Sequence, residues 1–272
     1  MPAGPREAST AVTLSDKVIL ISGVGPGLGR ATARAALEAG ARVVLGDLRG
    51  DSLTGIAGEL DPSGARTAYL QADISLPSDC RALVDMARDR FGKLDALVHV
   101  AATDSVFGGL MDGNLEELSA VMEVNLRGTL ELTRVAVPLL RERATSSVVM
   151  VGSTASVRQG LSAGNLAYGA SKGALVTAVH HLASELGPLG IRVNTVAPGW
   201  KWGPVLERYM RAEAERAAVE LDVIVESVSS KLALRRLPDD DDVAAVIAFF
   251  CSDGARSITG QTLFVDCGEI WH

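Results

Sequence analysis

The 272-residue chain is predicted to fold as a doubly wound α/β domain, a mostly parallel seven-stranded sheet with helices on both faces. Three observations carry this. Strand-like and helix-like segments alternate along most of the length. The strand-like runs are nearly continuous in Val, Ile and Leu, the pattern of strands covered on both sides. A glycine cluster follows the first strand and opens the first helix, at the edge where such sheets bind ligands.

Residues 17–22 (KVILIS) form the first β-rich run. Residues 28–39 are Ala-rich at helical spacing and stop at Gly40. A buried run follows at 42–45, then a helix at 51–60 and a strand at 66–71. Residues 78–91 read as a helix with a Ser78-Asp79 capping signal. Strands are expected at 94–101, 147–151, 191–196 and 262–265, and helices at 115–141, 168–186 and 239–252. Between Pro198 and Leu237 the pattern is helical without a strand, as in a lid above the sheet. No internal repeat or linker divides the chain. Residues 1–14 read as a loose tail before a single domain at 15–272, with the lid at about 199–236.

Hydrophobic residues make up 47% and charged residues 22%, ordinary globular usage that excludes fibrous and disordered classes. The net charge of -7 comes without any block of Lys or Arg, which argues against a nucleic-acid or anionic-membrane surface. No apolar run reaches the ~18 residues that span a bilayer. The first ten residues lack a signal-peptide core, so the cytoplasm is the expected compartment. Cys80, Cys251 and Cys267 are too scattered for a disulfide framework and read as reduced thiols. His180 and His181, as helical neighbours, point different ways. One is expected packed and one exposed, and no metal site is expected.

Ser22-Gly23-Val24-Gly25-Pro26-Gly27-Leu28-Gly29 lies between a strand and a helix. Bare glycine backbone lets N–H groups approach a phosphate, and the helix N-terminus adds positive partial charge. Asp47, eighteen positions after Gly29, ends the second strand. A carboxylate there accepts from ribose hydroxyls and repels a 2′-phosphate, favouring NAD over NADP. Arg30 and Arg49 lie close enough in sequence to hold a 2′-phosphate instead. Asp73 after the third strand either contacts the adenine amino group or serves as a turn residue.

Tyr168 and Lys172 are four apart on a helical segment and share a face. A free phenol, with a pKa of about 10, is too weak a base at neutral pH, and an adjacent cation lowers that value. Such a tyrosine takes a proton from an alcohol or gives one to a ketone. Ser153 follows the fifth strand, so its hydroxyl can hold the substrate oxygen. Ser156 is its rival.

With the glycine loop at 22–29, Tyr168 to Lys172, Val124-Asn125-Leu126-Arg127-Gly128, Arg192 to Gly199 and Ile258 to Gly268, the sequence resembles the short-chain dehydrogenase/reductase family from about Ser15 to Gly268. The resemblance implies a Rossmann-type fold and catalysis by Asn125, Ser153, Tyr168 and Lys172. Asn125 would anchor a relay water where a kink near Gly128 frees a carbonyl, and Asn194 would be a scaffold residue. It also implies a cofactor site of Gly23, Gly25, Gly27, Leu28, Gly29, Asp47, Leu48, Asp73, Ile74, Ala101, Tyr168, Lys172, Pro198 and Gly199. Pro26 occupies a position that is basic in NADP-preferring members, which again points to NAD. Four departures stand out: His99-Val100-Ala101-Ala102 replaces Asn-Asn-Ala-Gly, Ser153 and Tyr168 are two positions further apart than is common, Gly203 stands where a threonine is frequent, and Asp266-Cys267-Gly268 replaces Asp-Gly-Gly.

Ser153, Tyr168, Trp200 and Trp202 are the expected substrate contacts. The two tryptophans either cover an apolar substrate or pack the lid to the body. The expected reaction is NAD-dependent interconversion of a hydrophobic secondary alcohol and its ketone, on an alicyclic, steroid-like, terpenoid or acyl substrate. The alternatives are a 3-oxoacyl thioester reductase, a silent nucleotide-binding regulator, and nucleotide-sugar epimerisation or dehydration. A homotetramer formed through the helices at 115–141 and 168–186 is the family expectation.

Overall fold

A computed structural model describes residues 12–104, 108–159 and 165–271. The strands β1 (Val18–Ser22), β2 (Arg42–Asp47), β3 (Thr67–Gln71), β4 (Ala96–His99), β5 (Ser146–Val151), β6 (Ile191–Pro198) and β7 (Thr262–Val265) form one sheet. Every pairing is parallel, in the order β3-β2-β1-β4-β5-β6-β7. The chain winds outward from β1 to β3 and then crosses to β4 on the other side of β1. The loops diverge at that switch point and leave a crevice at the carboxyl ends of β1 and β4.

Strand residues alternate between two cores, as the period of two requires. Ile19, Ile21, Val43, Leu45 and Val149 face α1 (Leu28–Glu38), α2 (Gly50–Leu60) and α9 (Asp240–Cys251). Val18, Leu20, Val44, Leu97 and Val148 face α3 (Pro77–Phe91), α5 (Thr129–Leu140) and α6 (Leu166–Leu186). Helices α7 (Pro204–Ala217) and α8 (Leu221–Ser229) fill the long insertion between β6 and α9. Asp239 caps α9 in a reciprocal box with Asp242, bonding the N–H groups of Asp241 and Asp242 at 3.0 and 2.9 Å.

Several expectations change. Leu14 is fully buried and its N–H bonds Ala39 O at 2.8 Å, so the body of the domain begins by Leu14; residues 1–11 lie outside the described ones. Helix α3 starts at Pro77 with Leu76 as an extended N-cap that makes no side-chain bond. Proline at the first helical position needs no N–H there, and Asp79 instead accepts from Asp73 N at 3.0 Å. Strand β4 is shorter than the hydrophobic run, because Val100 N and Ala101 N both turn onto Ser22 O. His180 and His181 are both exposed, off the buried stripe of Ser171, Leu175 and Val179 on α6.

The single helix expected over 115–141 is in three parts: α4 (Leu115–Met122), a π-helical turn (Glu123–Gly128) and α5. A Cβ on Gly128 would stand 2.9 Å from Ile74 O, so only glycine permits this approach. The π turn places Asn125 inward, fully buried, and such turns recur at functional sites.

Candidate active site

The glycine loop divides its residues between packing and exposure. A Cβ on Gly23 would lie 2.2 Å from Ala101 N, and one on Gly29 2.1 Å from Gly23 O. These two glycines let β1, β4 and α1 close on each other. Gly25 and Gly27 face outward: a Cβ on either would meet only charged side-chain ends, Arg49 Nη2 at 2.9 Å and Asp240 Oδ2 at 3.5 Å. No side chain caps the N-terminus of α1. Bare backbone, an uncapped helix start and a carboxylate at the end of β2 are the donor set that a dinucleotide requires, and the residues present fit one.

That carboxylate is Asp47, which is buried and accepts Arg49 N at 2.9 Å. The guanidinium of Arg49 lies 3.6 Å from the same oxygen, while Arg30 is paired with Glu59. Both arginines proposed as 2′-phosphate ligands are thus engaged by carboxylates. Leu48 is 63% exposed beside Asp47, open to an adenine face. Asp73 Oδ1 accepts from Ser75 N at 2.9 Å and from Ser75 Oγ at 2.7 Å, which is turn geometry, and Ile74 is buried beneath it. Pro198 ends β6, and Gly199 follows with its N–H on Val265 O at 3.1 Å.

Ser153, Tyr168 and Lys172 come together beyond β5. Ser153 Oγ accepts from Ala155 N at 3.1 Å, and the hydroxyl hydrogen-bonds the Tyr168 phenol. The Ser156 hydroxyl is spent on Ser153 O at 2.7 Å, so the rival serine braces the loop. Lys172 Nζ lies 5.5 Å from the centre of the Tyr168 ring, within cation–π reach, and donates to Val151 O at 2.7 Å.

The electrostatics differ from expectation. Burial pushes the Tyr168 phenol up to about 12, with Asp104 adding to the rise and the Ser153 bond opposing it. Burial thus outweighs the nearby Lys172 ammonium, which sits over the ring and on the Val151 carbonyl. Burial in turn pulls Lys172 down to about 8, against the pull of Asp104. The resting tyrosine is therefore a proton-bearing acid.

Asn125 spends its whole amide on protein partners. Its Oδ1 accepts Thr103 N at 2.7 Å, and its Nδ2 donates to Thr103 O and to Ser171 Oγ, both at 3.0 Å. Ser171 Oγ donates to Tyr168 O at 2.8 Å. Asn125 thereby ties the β4 loop to the helix that carries Tyr168. Next to Thr103 stands Asp104, whose charge reaches both Tyr168 and Lys172. Thr103, Asp104 and Ser171 were not identified from the sequence. Ser171 had a signal, lying between Tyr168 and Lys172; Asp104 is brought there only by the Asn125 clamp.

His99 is buried, with Nε2 2.9 Å from Thr133 Oγ1. That hydroxyl donates to Thr129 O at 2.8 Å, so it accepts from His99 Nε2–H. Burial and the charge of Lys172 hold the imidazole neutral, with its pKa pulled down to about 3.

The two tryptophans are separated. Trp200 bonds Glu269 and stacks with Arg158, whose guanidinium is 6.0 Å from the indole and pairs with Glu269 at 2.6 Å. Trp202 N donates to Pro238 O at 2.7 Å, and its side chain lines a pocket with Pro26, Gly27, Arg34 and Asp240. Exposed apolar groups also stand near the start of α6, where Leu166 is 47% exposed. Gly108 forms a bridge with Asn165, and the adjoining Leu110 and Met111 are 75% and 94% exposed.

Comparison with known proteins agrees with this geometry. The family model described as enoyl-(acyl carrier protein) reductase matches residues 23–269. Dehydrogenase/reductase SDR family member 4 of Mus musculus is 33% identical over 267 residues, covering 97% of this chain and 92% of that protein. The 7alpha-hydroxysteroid dehydrogenase of Bacteroides fragilis is 30% identical, covering 94% and 95%. The structure of NAD+-bound xylitol dehydrogenase superposes with a TM-score of 0.85 at 25% identity, covering 93% and 99%. The parallel sheet, the glycine loop and these relatives place the chain in the short-chain dehydrogenase/reductase family of nicotinamide-dependent oxidoreductases.

Proposed function

We propose that this protein is an NAD(H)-dependent dehydrogenase that interconverts a hydrophobic secondary alcohol and its ketone, with Tyr168 as general acid and base. The observation that carries the reading is the gathering of the Ser153 hydroxyl at the Tyr168 phenol and the Lys172 ammonium over its ring, in a parallel sheet whose first loop carries outward-facing glycines. The nicotinamide cofactor, when bound, supplies the hydride donor or acceptor. Ser153 orients the substrate oxygen. Tyr168 delivers a proton to that oxygen in reduction and removes it in oxidation. With the phenol up at about 12, reduction starts from the resting form, and oxidation needs further positive charge near the ring. Asn125 holds the Thr103 loop and α6 in register, and Lys172 and the Val151 carbonyl brace the site from below.

Asp47 supports NAD: it is in place, and it already engages Arg49. The exposed Leu110 and Met111 beside the start of α6 support an apolar substrate. Two relatives named for dehydrogenation of a hydroxysteroid and of a polyol bracket the substrate class. The helices α4 to α6 would form the contacts of a homotetramer, which static light scattering measures.

The test is a panel of alicyclic, steroidal, terpenoid and acyl ketones and alcohols, read by NADH and NADPH absorbance in parallel. Turnover with NADH above NADPH is expected. Tyr168→Phe should lose at least about a thousandfold in kcat while binding NADH as the unmodified protein does. Equal turnover by Tyr168→Phe would overturn the assignment, and better use of NADPH would overturn the cofactor preference.

A further inference from the structure

Four consecutive aspartates, Asp239 to Asp242, open α9 beside the glycine loop, a paradox for a site that receives a diphosphate. Three have evident duties. Asp239 caps the helix, Asp241 pairs with Arg34, and Asp242 pairs with Arg236 at 2.5 Å. Asp240 differs: its carboxylate stands over the outward face of Gly27, with Oδ2 and Oδ1 at 3.5 and 3.8 Å from where a Cβ would be. Its partner comes from the lid. Lys201 Nζ lies 2.6 Å from Asp240 Oδ1, and both side chains are less than a quarter exposed. Gly203 leaves room for this ammonium, which is 3.4 Å from the position of its missing Cβ. The lid backbone is pinned on either side, by Lys201 N on Gly199 O at 2.8 Å and Trp202 N on Pro238 O at 2.7 Å. The ammonium is thus one carboxylate away from the phosphate-binding backbone, on a segment with little freedom to drift.

We propose that Lys201 is a ligand of the cofactor's diphosphate, and that Asp240 is its resident counter-ion, displaced from Lys201 when the diphosphate arrives. Arg30 and Arg34, the cations that line the pocket beside Gly27 and Asp240, are engaged by Glu59 and Asp241. A diphosphate above Gly27 brings negative charge against the Asp240 carboxylate, and the exchange of Lys201 from carboxylate to phosphate relieves that repulsion. The sign of the two roles is opposite: Lys201 favours binding and Asp240 opposes it. This inference rests on the nicotinamide-dependent reading of the site and adds a residue to it.

Calorimetric titration of the purified full chain with NADH, NADPH and ADP-ribose tests it without turnover. Lys201→Met should raise the Kd for NADH and ADP-ribose by about tenfold or more, in line with loss of a charge-assisted bond. Lys201→Arg should retain most of the affinity. Asp240→Asn should bind ADP-ribose several-fold more tightly than the unmodified protein. In the unmodified protein, ADP-ribose affinity should fall with salt more steeply than in Lys201→Met, a comparison that is independent of stability. If the pair only fastens the lid, Lys201→Met and Asp240→Asn will both lose thermal stability and bind ADP-ribose no differently from the unmodified chain, which overturns the proposal. If the unmodified chain binds neither NADH nor NADPH, the nicotinamide reading fails with it. If it binds them and Lys201→Met matches it, the proposal alone fails.

Discussion

Lys172→Met should make the protein more stable near neutral pH while removing its activity. The ammonium is 2% exposed, and burial lowers its pKa from 10.5 to about 8. At ~1.4 kcal/mol per pKa unit, holding this charge inside the folded protein at pH 7 costs about 3 kcal/mol. Methionine fills similar space without the charge. The substitution leaves Val151 O without its 2.7 Å donor, a loss of about 1 kcal/mol. The net gain at pH 7 is about 2 kcal/mol. The pH dependence identifies the cause. A depressed lysine binds fewer protons folded than unfolded between about 8 and 10.5, so the unmodified protein gains stability as pH rises through that window. The advantage of Lys172→Met should shrink by ~1.4 kcal/mol per pH unit above pH 8 and reverse at about pH 9.5, where the remaining charge cost falls to that of the lost Val151 hydrogen bond. Cys80 and Cys251, raised by burial to about 11 and about 12, lower stability at high pH in both proteins and cancel from the difference. Urea unfolding at half-unit steps from pH 7 to 10.5 reads this directly. A stability difference that stays constant over the window would refute the account, as would a variant that is less stable throughout.

Three further outcomes follow from the same structure. Asp47→Ala should lower the ratio of kcat/KM with NAD to that with NADP by about tenfold or more, because a charged acceptor of ribose hydroxyls is removed; an unchanged ratio would place the preference elsewhere. His99 is held neutral with its pKa down at about 3, so its share of stability is full above about 6.5 and falls with pH from there, by ~1.4 kcal/mol per unit. His99→Asn should flatten that acid limb in urea titrations between pH 6.5 and 4.5. Cys267 has φ 56°, a left-handed conformation that glycine adopts freely, and Cys267→Gly should raise stability by about 1 kcal/mol in the same assay.

Much of the fold was legible because it rests on local periodicity. The strands at 17–22, 42–45, 147–151 and 191–196 were found to within one or two residues, since strands buried on both faces must be apolar along their length, and the half-exposed edge strand at 262–265 was found as well. Helix ends were harder to read: Ser78-Asp79 looks like a cap, yet Pro77 starts the helix and Asp79 serves the β3–α3 turn instead. The break within 115–141 was expected as a kink from Asn125 and Gly128, but its π-helical form and the close approach of Gly128 to Ile74 O are contained in no local pattern.

The candidate site divides in the same way. Glycines between a strand and a helix, an acid at the end of β2, and a tyrosine and lysine four apart on one helix are patterns that the chain writes within short windows, because one turn or one helix face places them. Tertiary structure alone decided their electrostatics and company. Asp104 faces Tyr168 because Asn125 holds the Thr103 backbone. Burial, with Asp104 adding to it, raises the phenol where an adjacent cation was expected to lower it, and Lys172 lies over the ring and on Val151. Lys201 meets Asp240, thirty-nine positions on, above Gly27. Charges act through space and are weighted by burial, and neither distance nor burial is a property of neighbouring letters in the chain.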